Sequence, residues 1–68
     1  MTHATIEIDG IEYSATVSDE RVTLYREGSW LGKGYWREGM IEGCSVAMPE
    51  DIYVALDRAI AATMAKVA

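Results

Sequence analysis

Two stretches near the amino terminus alternate polar and apolar residues, which is the period-two pattern of half-buried β-strands. The first covers residues 4–8 and the second covers residues 11–17. The two-residue link between them, Asp9-Gly10, favours a type I′ turn because both of its positions require positive φ. The sequence therefore predicts a β-hairpin whose apolar side chains share one face.

Two further strands are predicted over residues 21–27 and 30–36, separated by a turn that contains glycine. Their register depends on the length of this turn. A two-residue turn would place Lys33 on the core face, whereas a three-residue turn directs Trp30 and Trp36 to the core and Lys33 to solvent. Because burying an unpaired lysine costs several kcal/mol, we expect the longer turn. A β-bulge at a glycine of the fourth strand would reverse the alternation locally.

The rest of the chain is predicted to form a fifth, less regular strand over residues 40–47 and a helix over residues 49–67. Pro49 suits the first position of a helix, where its missing N–H costs little. Apolar side chains then recur with the 3.6-residue period of an amphipathic helix, and Asp57 lies outside their stripe, on the side expected to face solvent. The stripe that would meet the sheet consists of Ile52, Leu56, Ile60 and Met64.

These elements predict an α+β fold, with an antiparallel meander sheet of four to five strands and one C-terminal helix packed on one face. A chain of 68 residues is too short to divide, so we expect residues 1–68 to form a single domain. One helix covers only one face of a sheet. The opposite face, called the outer face below, is therefore expected to be exposed or covered by a partner.

Composition narrows the range of functions. The net charge of −5 disfavours a polyanion or an anionic membrane as the partner of the whole protein. The chain has no run of about 18 apolar residues, so we expect no membrane span. The single cysteine fits a reducing compartment and predicts a cytoplasmic location. Because a small core without a disulfide needs another source of stability, we expect the protein to form a homodimer.

The residues that most often carry catalysis or bind metals are scarce. Cys44 and His3 are the only cysteine and the only histidine, which is too few for a four-ligand zinc site or a nucleophile with its base. The acidic residues Glu7, Asp9 and Glu12 are expected to be solvated, whereas a general acid needs a carboxyl group whose pKa is raised by burial. We therefore expect no enzyme activity, no bound metal and no cofactor.

The strongest functional signal is the interleaving of aromatic and basic residues in the third and fourth strands. Trp, Tyr and Arg are the residue types enriched at the hot spots of protein interfaces. The full set comprises Arg21, Tyr25, Arg26, Trp30, Lys33, Tyr35, Trp36 and Arg37. The residues predicted to contact a partner, on or beside the outer face, are Tyr25, Arg26, Leu31, Lys33, Tyr35 and Arg37.

We accordingly expect a small non-catalytic protein-interaction module that self-associates, or binds another protein, through the outer face of the third and fourth strands. Two alternatives remain open. Residues 21–37 also suit single-stranded nucleic acid, because aromatic rings stack on bases and cations hold phosphates. A small acidic protein can also act as an inhibitor that mimics DNA, as proteins of phages and mobile elements do.

Overall fold

The structure, a computed structural model, describes residues 1–67. The strands are β1 (Thr2–Ile8), β2 (Ile11–Ser18), β3 (Arg21–Arg26), β4 (Ser29–Arg37) and β5 (Met40–Glu42), and the helix is α1 (Glu50–Val67). The strands form one curled antiparallel sheet in the order β1-β2-β3-β4-β5, and α1 packs against it. The predicted α+β meander with one C-terminal helix is therefore confirmed. Ala68, which belongs to the predicted domain, lies outside the described residues.

The first hairpin has the predicted turn. Asp9 and Gly10 have φ values of 52° and 77°, as a type I′ turn requires. Ala4 lies opposite Ala15, and both side chains are buried on the inner face of the sheet, where the helix packs. Local turn chemistry therefore sets the register of β1 and β2.

The core lies between the inner face of the sheet and one stripe of α1. The helix packs mainly along β1 and less extensively against β2 and β5, so the curl of the sheet brings both of its edges to the helix. Of the predicted helical stripe, Met64 is only partly buried, whereas the other members belong to the core. The buried residues are Ala4, Tyr13, Ala15, Val17, Val22, Leu24, Ile52, Leu56 and Ile60.

β5 is only three residues long, instead of covering the predicted residues 40–47. Beyond it, the chain crosses the inner side of β4 at two glycines. A Cβ atom on Gly32 would lie 2.4 Å from Cγ2 of Val46, and one on Gly34 would lie 3.0 Å from Cα of Cys44. The prediction of a longer fifth strand is therefore wrong, because the glycines allow the chain after β5 to pack against the inner side of β4, where, among residues 43–47, only Ser45 still bonds to the strand.

A helix side chain that was expected to face solvent instead ties α1 to β5. Oδ1 of Asp57 accepts a hydrogen bond from the backbone N–H of Ile41 at 3.0 Å. Burial raises the pKa of Asp57, and the bond from Ile41 partly offsets this effect. The expectation for Asp57 is wrong because the curl of the sheet brings β5 beside this flank of the helix.

Candidate partner-binding site

The outer face of β3 and β4 gathers rings and cations in adjacent cross-strand pairs. Residues that lie opposite one another on neighbouring strands point to the same face of a sheet. The pairs on this face are Arg21–Tyr35, Thr23–Lys33 and Tyr25–Trp30. Arg37 continues the outward alternation along β4. We define the aromatic–basic patch as Arg21, Tyr25, Trp30, Lys33, Tyr35 and Arg37.

Trp30 is the most exposed ring of the patch, with 61% of its surface accessible. The preferred sequence register placed Trp30 in the core, and that prediction is wrong. Glu27 and Gly28 form a two-residue turn with positive φ at both positions, which directs Trp30 outward. A bulge at Leu31 then adds one residue to β4 and returns Lys33 to solvent. The short turn and the exposed lysine are thus compatible.

Two residues predicted for the contact surface do not belong to the patch. Leu31, the bulge residue, packs partly against the core. Arg26 lies opposite Tyr13, whose ring is buried on the inner face, so Arg26 belongs to the inner side of the sheet at its exposed turn end. Arg21 and Trp30 stand on the outer face instead. Both are members of the aromatic and basic set in the sequence, which is the signal that identifies them.

The second tryptophan lies on the opposite face from the first. Trp36 pairs with Ile41 of β5, is partly buried and packs against the core, as the sequence predicted. The two tryptophans therefore have different environments. Trp36 adds bulk to the core, whereas Trp30 presents its ring to solvent.

One end of the patch combines a ring with a cation. The guanidinium carbon of Arg37 lies 4.8 Å from the centre of the Tyr35 ring, within the range of a cation–π contact. The Tyr35 ring is itself 45% accessible, so this contact orders a cation over an exposed ring. Glu42 of β5 lies opposite Tyr35 and places one carboxylate at the border of the patch.

The segment after β5, residues 43–47, forms hydrogen bonds with the backbone of Lys33 in the middle of the patch. The backbone N–H of Lys33 donates to Oγ of Ser45 at 3.2 Å, and the carbonyl of Lys33 accepts from the N–H of Ser45 at 3.0 Å. These two bonds continue the pairing of β4 after β5 has ended. The patch therefore stands on hydrogen-bonded strands, which position side chains more firmly than a loop does.

The same segment is anchored to the helix. The hydroxyl of Tyr53 donates a hydrogen bond to the carbonyl of Val46. Burial, with a smaller effect of the neighbouring Cys44 thiol, raises the pKa of Tyr53 to about 12. The phenol is thus neutral at physiological pH and acts as a donor. The sequence carries no signal for this contact, because the acceptor is a backbone carbonyl in a segment that reads as a strand.

Two open depressions lie on the outer face beside Arg21 and Thr23. The first has a volume of about 540 Å³ and is bordered by Lys33 and Tyr35. The second has a volume of about 860 Å³ and is bordered by Tyr25. Small-molecule sites are usually enclosed and mostly apolar, whereas these depressions are open and mix polar with apolar walls. The surface suits a macromolecular partner better than a small ligand.

Charge divides the outer face into two halves. The patch contributes the cations of Arg21, Lys33 and Arg37, and no acidic residue of β3 or β4 lies on this face. On the first hairpin, Glu7 lies opposite Glu12 on the same face. The outer face is therefore positive on β3 and β4 and negative on β1 and β2, within a protein whose net charge is −5.

Residues 1–67 do not form two other kinds of site. This part of the chain contains no group of three or more His, Cys, Asp or Glu residues that could hold a metal ion. It contains no helix that is both long and apolar enough to cross a membrane. Comparisons with models of protein families, with curated proteins and with solved structures found no match.

Proposed function

We propose that this protein is a non-catalytic interaction module that binds an acidic partner protein through the aromatic–basic patch. The outward position of Trp30 beside Tyr25 carries the proposal. Both rings stand on paired strands whose other face is already used by the core. Exposed Trp and Tyr next to Arg are the usual composition of an interface hot spot.

Charge determines the chemistry of the proposed partner. Arg21, Lys33 and Arg37 would pair with carboxylates on the bound surface, and aromatic rings between them would contact its apolar side chains. A second copy docked patch to patch is disfavoured, because a two-fold contact sets the same cations against each other. The partner at this surface is therefore a different, acidic protein.

The test compares a patch variant with a matched variant elsewhere on the outer face. Trp30→Ala with Tyr35→Ala removes the two most exposed rings of the patch, and Ser14→Ala is the control on β2. Affinity purification should recover a protein with the wild type and the control but not with the double variant. For the purified partner, calorimetry should show binding weakened about tenfold or more. An unchanged affinity of the double variant would show that the patch is not the interface.

A second candidate is single-stranded nucleic acid, and one observation favours it. Trp30 and Tyr25 lie side by side on the outer face, where successive bases could stack. Against it stand the net charge and the acidic turn residues Glu27 and Glu38 at the two ends of β4. Labelled oligothymidine separates the candidates. Binding that falls steeply with salt and requires Trp30 would replace the protein partner, and no binding at about 20 mM salt would remove this candidate.

We also propose a cytoplasmic location. Cys44 is the single cysteine and is half-buried as a free thiol, so the fold uses no disulfide and needs no oxidising compartment. Cell fractionation tests this proposal, and recovery of the protein with exported material would contradict it.

A further inference from the structure

Among residues 1–67, no strand pairs with the outer edge of β1. We propose that two molecules pair their β1 strands in antiparallel orientation, with Thr5 of each on the two-fold axis, to form one ten-stranded sheet. This surface is separate from the aromatic–basic patch and does not depend on the proposed function. The patch of each molecule would remain exposed in the dimer.

The backbone groups on this edge follow from the pairing of the hairpin. Ile8 and Ile11 flank a two-residue turn and form a hydrogen-bonded pair, so alternate residues of β1 bond to β2. The N–H and C=O groups of the residues between them, His3, Thr5 and Glu7, point away from β2. Within residues 1–67, none of these groups bonds to another residue. An unpaired edge of this kind is a template for another strand.

One antiparallel register uses all of these groups. When Thr5 lies opposite Thr5 of the second copy, His3 of each molecule lies opposite Glu7 of the other. All three pairs are then of the closely bonded kind, in which two residues exchange both of their hydrogen bonds. A shift of the centre by one residue in either direction leaves His3 or Glu7 beyond the end of the other strand. The register centred on Thr5 is therefore favoured.

The side chains that meet in this register are complementary. His3 and Glu7 are exposed on the outer face, and their pair occurs twice across the two-fold axis. An imidazole N–H can donate a hydrogen bond to a carboxylate, and cross-strand pairs of threonine with threonine stabilise antiparallel sheets. Within one molecule the His3 ring also lies within hydrogen-bond distance of Thr16 and Thr5. On the inner face, Ala4 of each copy would lie opposite Ile6 of the other, which continues the apolar row above the helices. The register brings no like charges together.

The helix leaves room for the pairing. α1 packs mainly along β1, so the two helices would lie next to each other beneath the joined strands. Asp57 faces β5, and the flank of the helix opposite to it carries Ala55, Ala59 and Ala62, together with the exposed residues Asp51 and Lys66. Side chains as small as alanine let neighbouring helices approach closely. The two longer side chains of this flank, Asp51 and Lys66, lie near its two ends, so the alanines occupy its middle.

Two charge variants at the axis test the register. The side chain of Thr5 is exposed on the outer face, so its replacement leaves the core untouched. With Thr5→Lys, two lysines would face each other across the axis, and with Thr5→Glu, two glutamates would do so. Light scattering should show a dimer for the wild type and a dissociation constant raised about tenfold or more for either variant alone. An equimolar mixture of the two variants should recover the dimer.

Ser14→Lys is the matched control, because Ser14 lies opposite Thr5 on the same face but on β2, away from the edge. This control should remain dimeric, and circular dichroism should show that all variants keep the fold. The proposal is overturned if the wild type is monomeric at the highest soluble concentration, or if Thr5→Lys dimerises as the wild type does. It is also overturned if Ser14→Lys disrupts the dimer equally, because the outer face would then be the interface.

Discussion

Asp57 of α1 accepts a hydrogen bond from the backbone N–H of Ile41 in β5, at a donor–acceptor distance of 3.0 Å. β5 pairs with β4 over only three residues, so its own ladder holds it weakly. The bond joins the middle of the helix to this last strand. It therefore fixes the curl that brings both edges of the sheet to the helix.

Removing this acceptor should destabilise the protein. Asp57→Ala leaves the part-buried N–H of Ile41 without its partner, which we expect to cost about 1–3 kcal/mol of the free energy of unfolding. Asp57→Asn keeps an amide oxygen at the same position and should cost less. Urea denaturation at neutral pH measures both variants. Equal stabilities for Asp57→Ala and the wild type would show that the bond contributes nothing.

The stabilities of the wild type and of Asp57→Asn should depend differently on pH. Because burial raises the pKa of Asp57, its ionised form is less favourable in the folded than in the unfolded state. Its contribution to stability is then fully present below the unfolded pKa and is lost as pH rises through the folded pKa. As pH rises above the unfolded value of 3.8 and through the folded pKa, the wild type should therefore lose stability relative to Asp57→Asn, which cannot titrate at this position. If the stability of the wild type relative to Asp57→Asn stays constant or rises with pH, the carboxylate of Asp57 is not buried as described.

The two tryptophans offer a matched comparison of exposed and buried rings. Trp30→Ala removes a side chain that is 61% accessible and should change the free energy of unfolding by about 0.5 kcal/mol or less. Trp36→Ala opens a gap beside the core and should cost about 2 kcal/mol or more. Thermal and urea unfolding of both variants check this contrast. A cost for Trp30→Ala that matches the cost for Trp36→Ala would contradict the outward position of Trp30.

The parts of the fold that were predictable from sequence are those set by neighbouring residues. Asp9-Gly10 determines its own turn and thereby the register of the first hairpin. The apolar period of the helix identifies Leu56 and Ile60, which are buried as expected. Tyr35 and Lys33 lie on the outer face as predicted, because the alternation of β4 beyond its bulge is regular.

The errors arise where distant segments decide the local structure. The bulge at Leu31 precedes Gly32, whose missing side chain makes room for Val46, fourteen positions further along the chain. No local pattern shows this contact, so the sequence places Leu31 on the wrong face, whereas the error for Trp30 arises because the turn at Glu27-Gly28 is one residue shorter than expected. Asp57 was misplaced for a similar reason, because its partner is a backbone N–H of β5.

A double-mutant cycle measures the interaction energy between Gly32 of β4 and Val46 in the segment after β5. Gly32→Ala would place a Cβ atom 2.4 Å from Cγ2 of Val46, so one of the two must move, and we expect a cost of about 1–3 kcal/mol. Val46→Ala removes the nearer of the two atoms with which the new Cβ collides, whereas Oγ of Ser45, 2.7 Å away, remains. The double variant should therefore lose less stability than the sum of the single losses. Additive losses would mean that the two sites are not in contact.

Because of Tyr53, the stability of this protein should change with pH in the alkaline range. Its hydroxyl donates to the carbonyl of Val46, and burial together with the Cys44 thiol raises its pKa to about 12. A phenol whose folded pKa exceeds its unfolded pKa of 10.0 contributes stability that is fully present below pH 10 and is lost as pH rises through the folded pKa. The free energy of unfolding measured in this pH range therefore reflects the hydrogen bond from Tyr53 to Val46.

Tyr53→Phe isolates that contribution. At neutral pH the variant should lose about 1 kcal/mol, because the carbonyl of Val46 loses its donor. Between about pH 10 and about pH 12 the wild type should lose its advantage over the variant, because ionisation of Tyr53 removes the donated proton. If the wild type remains more stable than Tyr53→Phe by the same amount across this range, the hydroxyl of Tyr53 does not anchor the segment after β5.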